Sequence, residues 1–194
     1  MKYENLRLDD LFLLAKKGDG TAFEHIVLST EKMIYNLALS LTKSREDAED
    51  IAQDTYLRLW RSLPDYKGES SAKYYILKIT RNLAIDLIRK KSKRDEADTV
   101  ILTTDGEFEP DIEDSDPMSR PDEAYIRKLK SETLRKCLDE LPNSSRELIV
   151  LRDINGLSYA EIAEMLGIAE GTLKSKLFRA RERLRRIIIS KKIL

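Results

Sequence analysis

The residues from Leu157 to Arg186, "LSYAEIAEMLGIAEGTLKSKLFRARERLRR", admit few backbones. Ser158 and Glu161 have the spacing of a capping box, in which the hydroxyl accepts from the third helical N–H and the carboxylate reaches back to the first residue. This predicts a helix that runs to about Leu166. Gly167 suits the left-handed turn at a helix end, and Ile168 plugs the angle. Ala163 is small where a second helix would cross closely. That second helix opens near Glu170, whose charge suits a helix N-terminus. It carries Leu173, Leu177, Ala180, Leu184 and Ile187 along one side at steps of four, three, four and three. Residues 174–192 hold nine Lys and Arg against one acid, Glu182.

An apolar stripe under a basic outer face is the pattern of a helix-turn-helix whose second helix enters the major groove. Residues near its start then meet base edges, and flanking cations meet phosphates. The nine cations of this stretch are the candidates for phosphate contact. The plainer alternative is a solvated basic face on a core helix; the coincidence of a capping box, a Gly-Ile turn and a close-packing Ala favours DNA binding over it. With four to six phosphate contacts, the slope of log affinity against log salt would be roughly −4 to −5.

The rest of the chain is built of helix formers. Gly (7) and Pro (5) are sparse among 194 residues, and no alternating Val/Ile/Thr runs occur, so the fold class is all-α. The formal net charge of zero conceals a partition. Residues 1–94 carry 18 Lys and Arg against 14 Asp and Glu, residues 95–123 carry 1 against 12, and residues 124–194 carry 16 against 9. Two basic blocks flank an acidic connector, as suits a polyanionic partner for the blocks. One Cys (Cys137) and one His (His25) exclude an internal disulfide and a Cys/His zinc set. There is no glycine-rich phosphate loop and no nucleophile–histidine pair, so no enzyme and no cofactor are expected. Cys137 reads as a small core residue and His25 as a surface or boundary residue. The N-terminus has no apolar signal region and no apolar run could span a bilayer, so a reducing cytoplasm is expected and membrane insertion is not.

Three sections follow in order. "LDDLFLLAKKGD" is a short helix ended by Gly18. "TAFEHIVLSTEKMIYNLALSLTK" places Phe23, Val27, Ile34, Leu37 and Leu41 on one face, with a gap around Ser29–Glu31. "SREDAEDIAQDTYLRLWRSL" starts at the N-cap Ser44 and buries Ala48, Ile51, Ala52, Thr55 and Leu59, with Trp60 at the stripe's edge and expected in the core. Pro64 stops it. After the loop "DYKGESS", "AKYYILKITRNLAIDLIRKKSKR" is a long helix with Tyr75, Ile76, Ile79, Leu83 and Leu87 facing inward. Residues 94–122 lack helical periodicity and read as an extended acidic linker; the apolar "TVILTT" (Thr99–Thr104) within it has no assigned partner. Two further helices, within "DEAYIRKLKSETLRKCLDEL" and "SSRELIVLRDINGL", precede the helix-turn-helix.

The long helix offers a second candidate surface. Tyr66, Tyr74 and Tyr75 stand in or beside the loop, and Arg81, Asn82, Arg89, Lys90, Lys91 and Lys93 follow. Aromatics beside cations suit single strands, whose bases stack on rings. The alternative, slightly favoured by composition alone, is that Tyr75 and Tyr74 are core and the cations complement the helix end. The preceding helix is acidic over its first turns at Glu46, Asp47, Glu49, Asp50, Gln53 and Asp54. That face is either a solvated helix N-terminus or a dock for a basic partner.

The blocks "DAEDIAQDTYLRLW", "YILKITRNLAIDLIRKKSKR" and "LDELPNSSRELIVLRDINGLSYAEIAEMLGIAEGTLKSKLFRARERLRR", in this order around an acidic linker, resemble the extracytoplasmic-function (ECF) class of sigma-70 family sigma factors, from residue 8 to about 188. The resemblance implies a promoter-specificity subunit of bacterial RNA polymerase serving a stress- or signal-responsive regulon. It implies domain 2 at 1–93, a linker at 94–122 and domain 4 at 123–194. It further implies docking on core RNA polymerase through the helix from Asp47 to Trp60, by Asp47, Asp50, Gln53, Asp54 and Arg58. The unpaired non-template strand of the −10 element would meet Lys67, Gly68, Ser70, Lys73, Tyr74, Arg81, Asn82 and Arg89, with Asn82 the foremost base contact. Duplex −35 promoter DNA would meet Lys174, Ser175, Lys176, Phe178, Arg179 and Arg183. An anti-sigma factor is an implied partner. Tyr75-Ile76 stand where the family commonly has Trp-Leu, and Lys174 and Lys176 stand where Arg is frequent; Lys cannot make Arg's bidentate contact to guanine.

The 28 residues from Arg94 to Pro121 could extend over ~90–100 Å, more than the roughly 50–70 Å between such promoter elements. By the resemblance this connector threads the polymerase's RNA channel, where its charge would mimic a polyanion; the alternative is a spacer that keeps two basic domains soluble. The competing function is a stand-alone helix-turn-helix activator with a helical sensory domain.

Overall fold

The computed structural model describes residues 3, 6–97 and 133–191, with the backbone alone for 94–97. Thr99–Thr104, the linker beyond 97, residues 121–132 and Lys192 lie outside the described residues. Every regular element among those described is helical: α1 (Leu8–Lys16), α2 (Gly20–Thr42), α3 (Arg45–Ser62), a single tight turn at Leu63–Asp65, α4 (Ala72–Ala97), α5 (133–139), α6 (143–154), α7 (Tyr159–Leu166) and α8 (Glu170–Ser190). The fourth helix thus continues past the expected boundary at 93, because its polar last turns are as good helix formers as its buried ones.

α1–α4 form the N-terminal unit. Its core gathers Phe12, Ile26, Ile34, Leu59, Leu63 and Ile76, all with essentially no exposure. Burying one such leucine or isoleucine contributes roughly 2–3 kcal/mol. The stripe of α2 differs from the expected one by a residue: Ala22, Ile26, Thr30 and Ile34 are buried, while Phe23 and Val27 lie at its edge. Thr30 fills the apparent gap because its hydroxyl donates to the Ile26 carbonyl (2.6 Å), which removes the penalty of a buried polar atom. The same device joins α3 to α4. Thr55 donates to Ile51 O (2.7 Å), Thr80 to Ile76 O (3.0 Å), and the two hydroxyls meet at 3.4 Å.

Trp60 corrects its expected core position. It is 48% exposed and rests edge-on against Phe23, with ring centroids 4.8 Å apart. Leu59 takes the inward direction, so its neighbour in sequence must point some 100° away. Tyr75, by contrast, packs in an aromatic cluster with Phe12, as its core reading anticipated, and Tyr66, placed in the loop by the sequence, joins them there.

The C-terminal unit comprises α5–α8. Cys137 is fully buried. The end of α6 widens into one turn in which the Asn155 N–H donates to Val150 O, five residues back (2.9 Å). The capping box forms as expected: Glu161 N–H donates to Ser158 Oγ (3.2 Å), and Ser158 N–H donates to Glu161 Oε2 (2.8 Å). Gly167 adopts φ 65°, ψ 37°. Leu173, Leu177 and Ala180 bury one side of α8. A second apolar cluster runs from Leu37, Leu41, Leu77 and Leu83 in the first unit to Leu148, Leu151, Ile162 and Leu173 in the second, so the two units share a seam.

Candidate nucleic-acid interface

The apolar stripe of α8 determines which side chains remain outside. With Leu173, Leu177 and Ala180 turned inward, Lys174, Ser175, Lys176, Phe178, Arg179 and Arg183 are all exposed along one helix. Phe178 is 67% exposed, a large apolar ring in a field of cations. Ser175 donates to Gly171 O (3.0 Å), and the Lys174 ammonium stands 5.6 Å from the Tyr159 ring centroid. Arg181 instead faces Asp153, with Nε–Oδ2 at 3.0 Å. That carboxylate raises the affinity of Arg181 for its proton and takes the residue away from the outer face.

The second surface begins at the loop of residues 66–71. The loop is braced at both ends: Lys16 donates to Tyr66 O (2.5 Å), and the Tyr66 hydroxyl donates to Ser70 O (2.5 Å). Gly68, at φ +76°, makes the turn that other residues rarely adopt. The N-terminus of α4 is capped twice. Asp9 Oδ1 accepts from Ala72 N–H (2.7 Å) across the fold, and Ser71 Oγ accepts from Tyr74 N–H (3.2 Å). This fixes Lys67, Gly68, Lys73, Asn82 and Arg89 as exposed residues on the loop and α4.

Lys73, though exposed, and two other candidates here are engaged. Tyr74 is buried, and its hydroxyl donates to Glu164 (2.6 Å). Lys73 donates to Asn155 O (3.2 Å), and Arg81 pairs with Glu147 (2.5 Å).

The acidic face of α3 is simpler. Asp50, Gln53, Asp54 and Arg58 are exposed, and their side chains make no hydrogen bond or ion pair with another described residue. Leu57, 55% exposed, lies among them at helical spacing. Asp47 is set apart from this group. Its carboxylate has only 14% exposure and receives Lys91 of α4 (2.7 Å). The helix periodicity accounts for the division: 50, 53, 54, 57 and 58 share a face, whereas 47 lies over α4 beside the buried Ala48 and Ile51. Leu57 carries no charge signal, but the same spacing could have found it.

Two separate family models match this chain in the expected order: Sigma-70 region 2 over residues 26–94 and Sigma-70, region 4 over residues 131–184. Together they span more than half of it. The chain belongs to the sigma-70 family.

Its similarity to ECF members extends over nearly the whole length. The ECF RNA polymerase sigma factor SigW of Bacillus subtilis is 33% identical over 88% of this chain and 91% of its own. The RNA polymerase sigma-H factor of Pseudomonas aeruginosa is 28% identical over 86% of each chain. Among solved structures, the sigma factor RpoE from Bartonella quintana, crystallised with the anti-sigma factor NepR, is 27% identical with a TM-score of 0.65, covering 86% of this chain and 96% of that one. The sigma factor described here is therefore an ECF-class promoter-specificity subunit of bacterial RNA polymerase. Its family is one of non-enzymatic initiation factors. Among the described residues no helix is long and apolar enough to cross a membrane, and no His/Cys/Asp/Glu cluster could hold a metal ion.

Proposed function

We propose a division of labour along the chain. Residues 1–93 dock on core polymerase through Asp50, Gln53, Asp54 and Arg58, and take the −10 non-template strand on the loop and α4 by Lys67, Gly68, Ser70, Lys73, Tyr74, Arg81, Asn82 and Arg89. Residues 123–194 read the duplex −35 element through Lys174, Ser175, Lys176, Phe178, Arg179 and Arg183, and residues 94–122 connect the two. Asp47 serves instead to tie α3 to α4 through Lys91.

The observation that carries this reading is the opposite charge of two unpaired surfaces: an acidic face on α3 that would repel DNA, and a basic face on α8 that attracts it. A stand-alone activator needs the second surface and has no use for the first. The protein works without a cofactor or a catalytic residue, in the bacterial cytoplasm where its polymerase is. It serves a stress- or signal-responsive regulon. A relative at 27% identity was crystallised with an anti-sigma factor, and we infer that a protein of that kind restrains this one.

The test is initiation in vitro from a random promoter library. Core polymerase with this chain should start transcripts that share a −10 and a −35 sequence. Initiation no better than with core alone would overturn the reading. Lys174→Ala with Arg179→Ala should lower output from −35-dependent promoters about 10- to 100-fold and reduce the salt slope by about 2, with core binding unchanged. A loss of core binding in that variant would show the two surfaces to be wrongly assigned.

A further inference from the structure

The loop of residues 66–71 has too few bonds of its own to hold a shape. Among the described residues, no backbone N–H from 67 to 71 donates to a backbone carbonyl. Gly68, at φ +76°, permits the turn but does not enforce it. A loop that captures an unstacked base needs fixed walls, because unstacking is costly and only a snug fit offsets it. The restraint must come from outside the loop.

α1 supplies it with one stripe of side chains. Asp9, Phe12 and Lys16 recur at steps of three and four, so they share a face of the helix. Lys16 Nζ donates to Tyr66 O (2.5 Å) where the loop begins, and Asp9 Oδ1 accepts from Ala72 N–H (2.7 Å) where it ends. Between them the buried Phe12 meets the rings of Tyr66 and Tyr75 edge-on, with centroids 5.2 and 6.4 Å away. Burial, with the charge of Asp9 nearby, raises the proton affinity of the Tyr66 hydroxyl, which stays a donor to Ser70 O across the loop. Both ends of the loop are thus anchored on one helix, at residues about 10 Å apart along its axis. The tip, Lys67, Gly68 and Glu69, stays exposed.

α1 lies outside the stretch, 26–94, that the Sigma-70 region 2 model matches. On the −10 assignment proposed above, we infer that α1 sets base selection: Asp9 and Lys16 are positioning residues that hold the loop in the shape admitting the preferred −10 base, without touching DNA themselves. A loosened loop still follows the strand by its cations but adapts to any base. Discrimination therefore falls before affinity does, since phosphate contacts position the strand and base contacts specify it.

The test is initiation with core polymerase from a library randomised over the −10 element beside a fixed −35 element. Lys16→Met keeps the aliphatic stem of an exposed side chain and loses only the donor; Asp9→Ala removes the acceptor. In each, preference for the favoured base at the most selective −10 position should fall roughly tenfold, and further in the pair. Lys16→Arg and Asp9→Asn, which keep the donor and the acceptor, should retain the wild-type preference. Binding to core polymerase should not change in any of them. Output that falls equally for every −10 sequence, with the preference kept, would reduce α1 to a part of the core and overturn the brace. Wild-type preference in the double variant would overturn it as well. Asn82→Ala separates this failure from that of the −10 assignment. If Asn82→Ala alters the −10 preference and the α1 variants do not, the brace alone is refuted. If none of them alters it, the strand-face assignment falls and the brace with it.

Discussion

Asp50→Arg combined with Asp54→Arg should reduce affinity for core RNA polymerase by about 100-fold or more, without unfolding the protein. The two carboxylates lie one turn apart on the outer face of α3, and neither is hydrogen-bonded to or paired with another described side chain. Their replacement therefore removes no such internal bond. Arginine is also a good helix former, so the change in stability should stay within about 0.5 kcal/mol. At an interface the effect is larger, because placing like charges opposite one another costs several kcal/mol. Association with core polymerase by co-elution or surface binding, alongside a circular-dichroism melt, checks both halves. Binding within about threefold of wild type, with the melt unchanged, would remove α3 from the docking surface. Asp47→Arg makes the contrast: it confronts Lys91 of α4 and should lower the melting temperature before it affects docking.

Reading this contrast from sequence alone fails for a definite reason. Six polar or acidic residues between Glu46 and Asp54 form one composition, and composition does not distinguish a carboxylate over α4 from one over solvent. The helical angle does, once the buried positions are known. Ala48, Ile51, Thr55 and Leu59 were legible as those positions, and so were the capping box, the Gly167 turn and the stripe of α8. Thr30 and Trp60 were not. A buried threonine looks polar until its hydroxyl is seen to bond its own helix, and a tryptophan looks like core until Leu59 is seen to occupy the inward direction. The contacts of Glu161 and Glu164 with α4 were out of reach for another reason. Residues some 90 positions apart meet there, and no local pattern encodes the pairing.

Arg146 was equally hidden, and its removal should be the most destabilising single change in the protein. In sequence it is one cation in "PNSSRELIV". In the fold it is 1% exposed, the largest of the fully buried side chains. Its guanidinium donates to Ser40 O near the end of α2 (3.0 Å), and to Leu141 O (3.0 Å) and Asp139 O (3.3 Å) at the end of α5. These carbonyls belong to helix C-termini, where backbone acceptors lack helical partners and a positive charge is favoured. One residue of α6 thus caps two other helices, one from each unit. The ion pair with Asp139 (3.5 Å) is a lesser part of this. Burial lowers the proton affinity of Arg146 and raises that of Asp139, so in each group desolvation outweighs the partner's charge. The two variants should therefore differ sharply. Asp139→Asn, which keeps the shape and removes a charge that burial disfavours, should change stability by no more than about 1 kcal/mol. Arg146→Met, which leaves three carbonyls without this donor, one of them fully buried, should cost about 3–5 kcal/mol and lower the melting temperature by about 10 °C. Arg146→Lys should recover less than half of that loss, because one ammonium cannot span acceptors on two helices. Thermal melts of the three variants decide the matter: an Asp139→Asn loss equal to that of Arg146→Met would make the ion pair, rather than the double cap, the interaction that holds this corner together.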